Sequence, residues 1–248
     1  IPKGMKKGAP LILNGDNDKL VTVREPDYKL VFFGIENPNV DFRAKDIEEK
    51  NGFTSFTVEF YGASQRVTVP TVGIHNVYDA LAAFAVGYEM RMEPQKIAAG
   101  LKSFVPSGMR QRIKKVGGIT VIEDCYNASP DSQKAALDVL SSFKSNRRIA
   151  VLGDMLELGK YSDVSHENVG KYTENKNIDI LFTYGAKAKH IAEGAKGFVD
   201  EIKSFDDKTE LVKALLETLK DGDAVLFKAS RGMKLEDVIN SLYREWEE

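Results

Sequence analysis

The sequence contains very little cysteine and histidine. One cysteine among 248 residues excludes an internal disulfide, and three histidines beside it are too few for a zinc site built from Cys and His. No apolar run approaches the roughly 18–20 residues of a membrane-spanning helix, and no signal peptide opens the chain. The net charge is only −2, so no basic surface indicates a nucleic-acid or membrane partner. We therefore expect a cytoplasmic protein without membrane insertion.

Several well-known catalytic and nucleotide-binding motifs are also absent. The sequence contains no G-x-x-x-x-G-K-[ST], no G-x-G-x-x-G, no G-x-S-x-G and no H-E-x-x-H. We expect Cys125 to be packed rather than nucleophilic, and His166 and His190 to lie on the surface. The chain begins with Ile1 instead of methionine, so we expect it to be a fragment of a longer protein.

The composition that remains is that of a folded, soluble protein. Charged residues make up 29% and hydrophobic residues 42% of the chain, which argues against disorder. A length of 248 residues suggests two domains, at roughly 100–200 residues per domain. The stretch 104–108 contains Pro106, Ser107 and Gly108 and interrupts the regular pattern. We therefore predict a domain boundary there, between 1–106 and 107–248.

The first part of the chain has strand-like runs followed by helical periodicity. Short apolar or β-branched runs predict strands at 20–23, 28–35, 53–60 and 65–69. Gly62 suits a tight turn, so the last two strands are expected to form an antiparallel hairpin. Apolar residues at helical spacing from Val77 predict a helix, and a second helix is expected from 93 to 101.

Strands and helices alternate after the predicted boundary. The predicted strands are 119–123, 148–152, 178–184 and 224–228, and the predicted helices are 131–143, 186–194, 207–220 and a last one around 235–246. Ser129 is the expected N-cap of the first of these helices, with Pro130 at its first position. The alternation predicts an α/β fold with a mostly parallel sheet, in which ligands bind at the carboxyl ends of the strands.

Asp124 and Asn127 stand at one of these strand ends, beside the N-terminus of a predicted helix. Free N–H groups at a helix N-terminus favour anions. Asp124 is a candidate for holding a ribose hydroxyl or a metal-bound water, and Asn127 offers both a donor and an acceptor. The alternative is that these residues only form the turn and the cap. The segment 153–159, after the next strand, is interpreted as a solvated acidic loop.

A basic group and a hydroxyl follow the last predicted strand. Lys228, Ser230 and Arg231 suit a carboxylate or a phosphate, since arginine supplies a bidentate fork and lysine a point charge. The alternative is a charged surface loop. Arg110 follows the predicted boundary, where it either reaches a ligand when the domains close or is an exposed linker charge.

The first predicted helix carries a polar group in its opening turn. Asn76 and Asp79 lie three positions apart and can face one ligand together. The alternative is that Asn76 or His75 caps the helix while Asp79 interacts favourably with its dipole.

Taken in order, these segments resemble the Mur ligase family, the ATP-dependent amide ligases of peptidoglycan synthesis. The resemblance rests on the helix opening HNVYDALAA, the short motif SGMR and the run EDCYNASPDSQKAALDVL, together with VLGDMLELG, KASRGMKLE and the loop 13–18. It extends from about Leu11 to the end of the chain. Asp79 is a departure, because the family usually has Asn there.

The resemblance implies a domain organisation. Residues 1–106 correspond to the rear part of the family's central ATP-binding domain, and 107–248 to a complete, Rossmann-like C-terminal domain. The family's P-loop, its magnesium ligands and its UDP-binding domain are expected upstream of this sequence. The chain alone is therefore expected to be inactive.

The resemblance also implies a reaction. The tyrosine-containing motif resembles that of the member that joins D-alanyl-D-alanine to UDP-N-acetylmuramoyl-tripeptide, using ATP and Mg²⁺ through an acyl phosphate. It implies that Asn76 and Asp79 face adenine, that Arg110 reaches the phosphates, and that Asp124 and Asn127 lie by the nucleotide. Arg110 and Asp124 are the catalytic candidates. For the dipeptide side the candidates are Ser129, Lys228, Ser230 and Arg231.

Two further expectations and two rival functions accompany this reading. Glu123 or Asp124 is a possible general base, and the protein is expected to be a monomer. A non-catalytic α/β module that binds a nucleotide or a partner protein is the main rival, and a folyl-polyglutamate or cyanophycin-type ligase is another. Sequence upstream of Ile1 distinguishes the first rival, because a P-loop there favours the enzyme.

Overall fold

The computed structural model of the protein describes residues 4–50, 52–105 and 108–247. The chain divides into two compact units, Ile1–Val105 and Pro106–Glu248. Pro106 and Ser107, which belong to the predicted boundary, lie outside the described residues. Each unit has a sheet and an apolar core of its own. Both sheets are covered by helices, so the predicted α/β class is confirmed.

The first unit is a five-stranded mixed sheet with two helices. Its strands are β1 (Pro10–Asn14), β2 (Lys29–Gly34), β3 (Phe42–Lys50), β4 (Phe53–Phe60) and β5 (Ala63–Val69), and its helices are α1 (Ile74–Glu89) and α2 (Pro94–Lys102). The strands lie in the order β1-β2-β3-β4-β5. The pairs β1–β2 and β2–β3 are parallel, and the pairs β3–β4 and β4–β5 are antiparallel.

Aromatic packing fixes α1 on this sheet. Phe84 of α1 is fully buried. Its ring lies 6.2 Å from that of Phe42 in β3 and 5.3 Å from that of Phe60 in β4. Aromatic pairs at these distances stabilise by roughly 0.5–1.5 kcal/mol beyond the area that they bury. The packing therefore determines where α1 presents Asn76 and Asp79.

The hairpin prediction in this unit is confirmed, and one strand prediction is wrong. Strands β4 and β5 are joined by Tyr61 and Gly62, which both have positive φ, as the favoured two-residue hairpin turn requires. The run 20–23 is not a strand, because Leu20–Thr22 forms a short 3₁₀ helix. The side-chain oxygen of Asn17 accepts hydrogen bonds from the amides of Lys19 and Leu20 and starts that turn.

The second unit is a six-stranded sheet with five helices. Its strands are β6 (Arg112–Val116), β7 (Ile119–Glu123), β8 (Arg148–Gly153), β9 (Ile180–Tyr184), β10 (Glu201–Phe205) and β11 (Ala224–Lys228). Its helices are α3 (Pro130–Ser142), α4 (Ser162–Lys171), α5 (Lys189–Ala195), α6 (Lys208–Thr218) and α7 (Glu236–Glu247). The order is β10-β9-β8-β11-β7-β6, parallel except for the antiparallel pair β6–β7.

The central strands of this sheet are buried on both faces. Val151 and Phe227 belong to one apolar core with residues of α6 and α7. Leu152 and Leu226, which point to the opposite face, are also fully buried. Continuous apolar runs such as those of β8 and β11 are typical of parallel strands covered by helices.

An ion pair lies at the amino ends of β8 and β11. Asp223 is almost fully buried and accepts hydrogen bonds from Nε and Nη2 of Arg147 at 3.1 and 2.6 Å. Nη2 of Arg147 also donates to the carbonyl of Thr218 at 2.7 Å. The hydrogen bond from Arg147 to Asp223 is the main cause that raises the pKa of Arg147.

Candidate functional site

Polar residues that follow or end the predicted strands lie together at the carboxyl edge of the second sheet. Strands β8, β11 and β7 are parallel neighbours there. Asp154 follows β8, Lys228 ends β11 and Asp124 follows β7. Because the carboxyl ends of parallel strands share one edge, this is where a ligand site of an open α/β sheet forms.

Lys228 is buried at the centre of this edge. Its side chain is 3% exposed. The ammonium donates to Oδ2 of Asp124 at 2.7 Å, to the carbonyl of Asn127 at 3.1 Å and to the carbonyl of Asp124 at 3.4 Å. An ammonium has three protons, and these acceptors match that number. The expectation that Lys228 itself clamps a ligand carboxylate is therefore corrected, because its charge is directed into the protein.

Two arginines lie near the ring of Tyr126. The guanidinium carbon of Arg110 is 4.3 Å from the ring centroid, and that of Arg231 is 5.7 Å from it. These are distances of cation–π contacts. All three side chains are exposed, so the two guanidinium charges are accessible to a phosphate or carboxylate. Arg110, Tyr126 and Arg231 are called the arginine–tyrosine cluster below.

Asp124 connects this cluster to the buried lysine. Its Oδ1 accepts the backbone N–H of Gln111 at 3.3 Å, while its Oδ2 binds Lys228. Gln111 is the residue after Arg110, and β6 starts directly after it. One carboxylate thus joins the end of β7, the end of β11 and the segment that carries Arg110.

Asn127 and Ser129 take part in turn and cap bonding. Oδ1 of Asn127 accepts the amide of Ala128 at 2.9 Å. The hydroxyl of Ser129 accepts the amide of Ser132 at 3.3 Å, and the hydroxyl of Ser132 accepts the amide of Ser129 at 2.9 Å. This reciprocal pair is a capping box at the start of α3. The prediction of Ser129 as N-cap is confirmed.

Ser230 is buried and joins two loops at the same edge. Its hydroxyl accepts the amide of Leu156 at 2.9 Å and donates to the carbonyl of Ala128 at 3.4 Å. Its own amide donates to the carbonyl of Asp154 at 3.1 Å. Of the four candidates for the dipeptide side, only Arg231 combines an exposed side chain with a charge.

The segment 153–159 differs from the solvated acidic loop that the sequence suggests. Asp154 is buried, and its Oδ1 accepts the amides of Lys187 and Ala188 at 3.0 and 2.6 Å. Asp154 therefore anchors the entry to α5. The interpretation was wrong for Asp154 because its partners are more than thirty residues away in the sequence.

His166 is also buried, so the expectation of a surface position is wrong. Its Nδ1 lies 2.7 Å from the carbonyl of Ser162, and its Nε2 accepts the amide of Met155 at 2.9 Å. These partners require the neutral ring, with the proton on Nδ1. Burial lowers the pKa of His166 below its usual value, which favours the same neutral form. His190 is 42% exposed at its side chain, as expected of a surface residue.

Glu123 and Cys125 are not presented to a ligand. Glu123 is buried, and its Oε1 accepts the hydroxyl of Tyr243 at 2.5 Å and the ammonium of Lys114 at 3.0 Å. Its candidacy as a general base is therefore corrected, because the carboxylate is enclosed by its own partners. Burial raises the pKa of Cys125 to about 12, so the expectation of a packed, unreactive thiol is confirmed.

In the first unit, Asn76 and Asp79 lie on the opening turns of α1. Nδ2 of Asn76 donates to the carbonyl of Val72 at 2.7 Å and lies 3.1 Å from Nε2 of His75. Asp79 is exposed one turn further on. The N-cap of α1 is Gly73, so the alternative in which Asn76 or His75 caps the helix is wrong. Asp79 is accessible to a ligand.

Sequence reasoning did not single out the tight anchoring of Asp16. Its carboxylate accepts the amides of Ile35, Glu36 and Asn37 at 2.6, 3.1 and 2.7 Å, and the hydroxyl of Tyr78 at 2.8 Å. Burial opposes ionisation of Asp16, but these hydrogen bonds outweigh it and lower its pKa. Asp16 therefore attaches the loop after β1 to the end of β2 and to α1.

Two searches of the described residues were negative. Within 4–50, 52–105 and 108–247, no group of three or more His, Cys, Asp or Glu side chains is arranged to hold a metal ion. Over the same ranges, no helix has the length and apolar character needed to cross a bilayer.

Each of the two units matches a known protein family model. The Mur ligase middle domain matches residues 1–87, and the Mur ligase, glutamate ligase domain matches residues 109–231. The chain is 37% identical over 246 residues to the UDP-N-acetylmuramoyl-tripeptide–D-alanyl-D-alanine ligase of Bacillus subtilis. It is 32% identical over 251 residues to the ligase of the same name from Haemophilus influenzae. Each alignment covers 98% of this chain and 53% of the relative, so the chain spans about half the length of these curated relatives.

Solved structures agree with these matches. The MurF ligase of Thermotoga maritima, crystallised in complex with ADP, aligns with a TM-score of 0.85 and 25% identity, over 99% of this chain and 55% of that one. A MurF structure from Acinetobacter baumannii aligns with a TM-score of 0.84 and 25% identity, over 95% and 51%. The chain belongs to the Mur ligase family, and it matches the family's middle-domain and C-terminal-domain models.

Proposed function

We propose that the chain is part of an ATP-dependent amide ligase of peptidoglycan synthesis. The reaction joins D-alanyl-D-alanine to UDP-N-acetylmuramoyl-tripeptide, as the names of the Bacillus and Haemophilus relatives state for those proteins. The structural observation that carries the proposal is the arginine–tyrosine cluster. It presents two accessible guanidinium groups at the carboxyl edge of a parallel sheet, beside the N-terminus of α3.

The domain assignment belongs to the same proposal. Residues 1–106 form the rear part of the central ATP-binding domain, and residues 107–248 form the C-terminal domain. Matches to the family's middle and C-terminal domains at 1–87 and 109–231 support this division. The complete protein acts in the cytoplasm as a monomer on three small-molecule substrates.

On the nucleotide side, Arg110 stabilises the negative charge of the phosphates. A guanidinium forms paired, charge-assisted hydrogen bonds with phosphate oxygens. Asp124, held between Lys228 and the amide of Gln111, lies next to the nucleotide with Asn127. Asn76 and Asp79 of α1 face adenine. Mg²⁺ neutralises charge on the transferring phosphoryl group when it is bound.

On the dipeptide side, Arg231 holds the carboxylate of D-alanyl-D-alanine. Its guanidinium is exposed and lies 3.7 Å from Glu236, so it is oriented without being enclosed. Ser129 and Ser230 shape the adjoining loops through the cap of α3 and the bond to Leu156. The amine of the dipeptide stays free to attack the acyl phosphate formed on the tripeptide.

The proposal is tested with the complete gene product. Phosphate release should require ATP, UDP-N-acetylmuramoyl-tripeptide and D-alanyl-D-alanine together. Arg231→Ala should raise the KM for the dipeptide selectively, by about 1.5–3 kcal/mol of lost charge-assisted bonding, and should change the KM for ATP little. Turnover that does not depend on the dipeptide contradicts the proposed reaction. A rise confined to the KM for ATP assigns Arg231 to the nucleotide instead.

A further inference from the structure

The loop after β7 folds around the ammonium of Lys228. The carbonyls of Asp124 and Asn127, at the two ends of this loop, both accept from that ammonium, and Oδ2 of Asp124 is its third acceptor. A buried ammonium is strongly unfavourable unless it is paired and hydrogen-bonded, and here each proton has an acceptor. The cation is therefore part of the protein interior.

The same contacts decide which residues of the loop face outward. Cys125 is buried, whereas Tyr126 and Asn127 are exposed. Because Lys228 draws the two flanking carbonyls inward, the chain between them bends and directs the ring of Tyr126 to the surface. The amide of Tyr126 also donates to the carbonyl of Met109 at 3.2 Å.

Arg110 is connected to this arrangement from two directions. Its guanidinium lies over the ring of Tyr126 at 4.3 Å. The next residue along the chain, Gln111, donates its amide to the carboxylate that Lys228 binds. Loss of the buried cation is therefore expected to release both the ring and the backbone that position Arg110.

We propose that Lys228 is a positioning residue, an internal cation around which the loop 124–127 folds and through which Tyr126 and Arg110 are held for the nucleotide. This role differs from a clamp on the dipeptide carboxylate. The link to the nucleotide rests on the proposed ligase function, whereas the effect on the loop does not.

The structural part is tested on the 248-residue chain by ¹H–¹⁵N NMR. Lys228→Met removes the charge and retains the length of the side chain. We expect the amide signals of Gln111, Tyr126 and Asn127 to shift or broaden. The matched control is Lys176→Met, which removes a lysine paired with Asp138 at 2.7 Å and is expected to leave those three signals unchanged. Unchanged signals in Lys228→Met overturn the proposal.

Chemical rescue identifies the charge as the cause. Lys228→Ala removes the atoms from Cγ to Nζ, which propylamine replaces. We expect propylamine to restore the three signals and 1-propanol, of the same length without charge, to leave them displaced. Equal restoration by both compounds shows that filled volume is sufficient and contradicts the proposal. If Lys228→Ala does not fold, the comparison of Lys228→Met with Lys176→Met decides.

The link to the nucleotide is tested by the kinetics of the complete ligase. Since a displacement of about 1 Å can cost about 10²-fold, Lys228→Met is expected to lower kcat by that order. The KM for the dipeptide should stay within about twofold, as expected when no ligand contact is lost. A selective rise of the dipeptide KM at normal kcat would show that Lys228 binds the dipeptide carboxylate, and it would overturn the proposal that Lys228 is a positioning residue. Absence of ligase activity in the wild type refutes the proposed function, while the NMR result still decides the role of Lys228.

Discussion

The two ends of the second sheet each contain an ion pair with one buried partner, Asp223 at the amino end and Lys228 at the carboxyl end, and the two pairs have different surroundings. At the amino end, Arg147 and Asp223 form hydrogen bonds with each other. Arg147 also donates to the carbonyl of Thr218, and Asp223 accepts the amide of Lys220. At the carboxyl end, Lys228 and Asp124 bind the loop that presents Tyr126, and the segment that presents Arg110. The further hydrogen bonds of an ion pair, more than its burial, therefore indicate whether it serves stability or a site.

Breaking the amino-end pair should have the largest effect on stability. Asp223→Ala leaves a partly buried arginine without its partner, which is expected to lower the free energy of unfolding by about 3 kcal/mol. Urea denaturation followed by Trp246 fluorescence measures this, because this single tryptophan packs against the core of the second unit. Glu167→Gln, in an exposed pair with Lys171, is the control and should change little. Full stability of Asp223→Ala would remove the contrast between the two ends.

Arg110→Ala should lower activity and leave stability nearly unchanged, whereas Asp223→Ala is expected to lower stability. In the complete ligase we expect kcat to fall on the order of 10²-fold, because preorganised charge acts on the transition state, and the KM for ATP to rise less. Unfolding of the 248-residue chain should be nearly unchanged, since the side chain is exposed. Arg112→Ala, another exposed arginine two residues on, is the control. A near-normal kcat would mean that Arg110 is a linker charge.

The neutral His166 predicts a pH dependence that originates at the carboxyl edge. Its pKa is lowered in the folded state, so the unfolded chain takes up the proton more readily. Stability should therefore be lost as the pH falls below about 6.5, the ordinary value, and this group contributes no slope at higher pH. Urea midpoints between pH 7.5 and 5.5 measure the effect.

Two histidine variants isolate that contribution. His166→Gln keeps an acceptor for the amide of Met155 and removes the titrating ring, so its stability should vary less with pH than that of the wild type. His75→Gln changes a histidine of the first unit and should follow the wild type. Parallel curves for all three proteins would exclude His166 as the cause.

The smallest expected effect concerns the cap beside the site. Ser129→Ala removes the side-chain acceptor for the amide of Ser132 and should cost about 1 kcal/mol of unfolding free energy, whereas Ser129→Gly should cost only a few tenths. Urea denaturation with Trp246 fluorescence distinguishes the two. Equal losses for both variants would show that the backbone freedom of glycine does not compensate at this cap.

The fold was predictable where burial is continuous along the chain. Strands β7 and β11 have the predicted limits, 119–123 and 224–228, because apolar runs between turns mark strands buried on both faces. Strands β6 and β10 lie at the edges of the sheet and carry charged residues, so they lack that signal. Helix α4 was missed because it is polar over most of its length.

The sequence predicted which residue types form the site and at which edge of the sheet they lie. It did not predict which of these side chains are buried. Strand alternation brings Asp124 and Lys228 to one edge although 104 positions separate them. Whether the ammonium faces a ligand or the protein depends on the carbonyls around it, which no local pattern encodes. The same applies to His166, whose partner Met155 lies eleven residues earlier, in the loop that follows β8.

The thiol of Cys125 makes the loop 124–127 observable by chemistry. It is the chain's single thiol, it is fully buried, and its Sγ lies 3.2 Å from Sδ of Met109. Because only an exposed thiolate reacts readily, a thiol reagent modifies the native chain no faster than this loop opens. The rate of labelling therefore reports how readily the loop 124–127 opens at the carboxyl edge. A cysteine introduced on the surface would react well before Cys125, so it could be labelled selectively without removing Cys125.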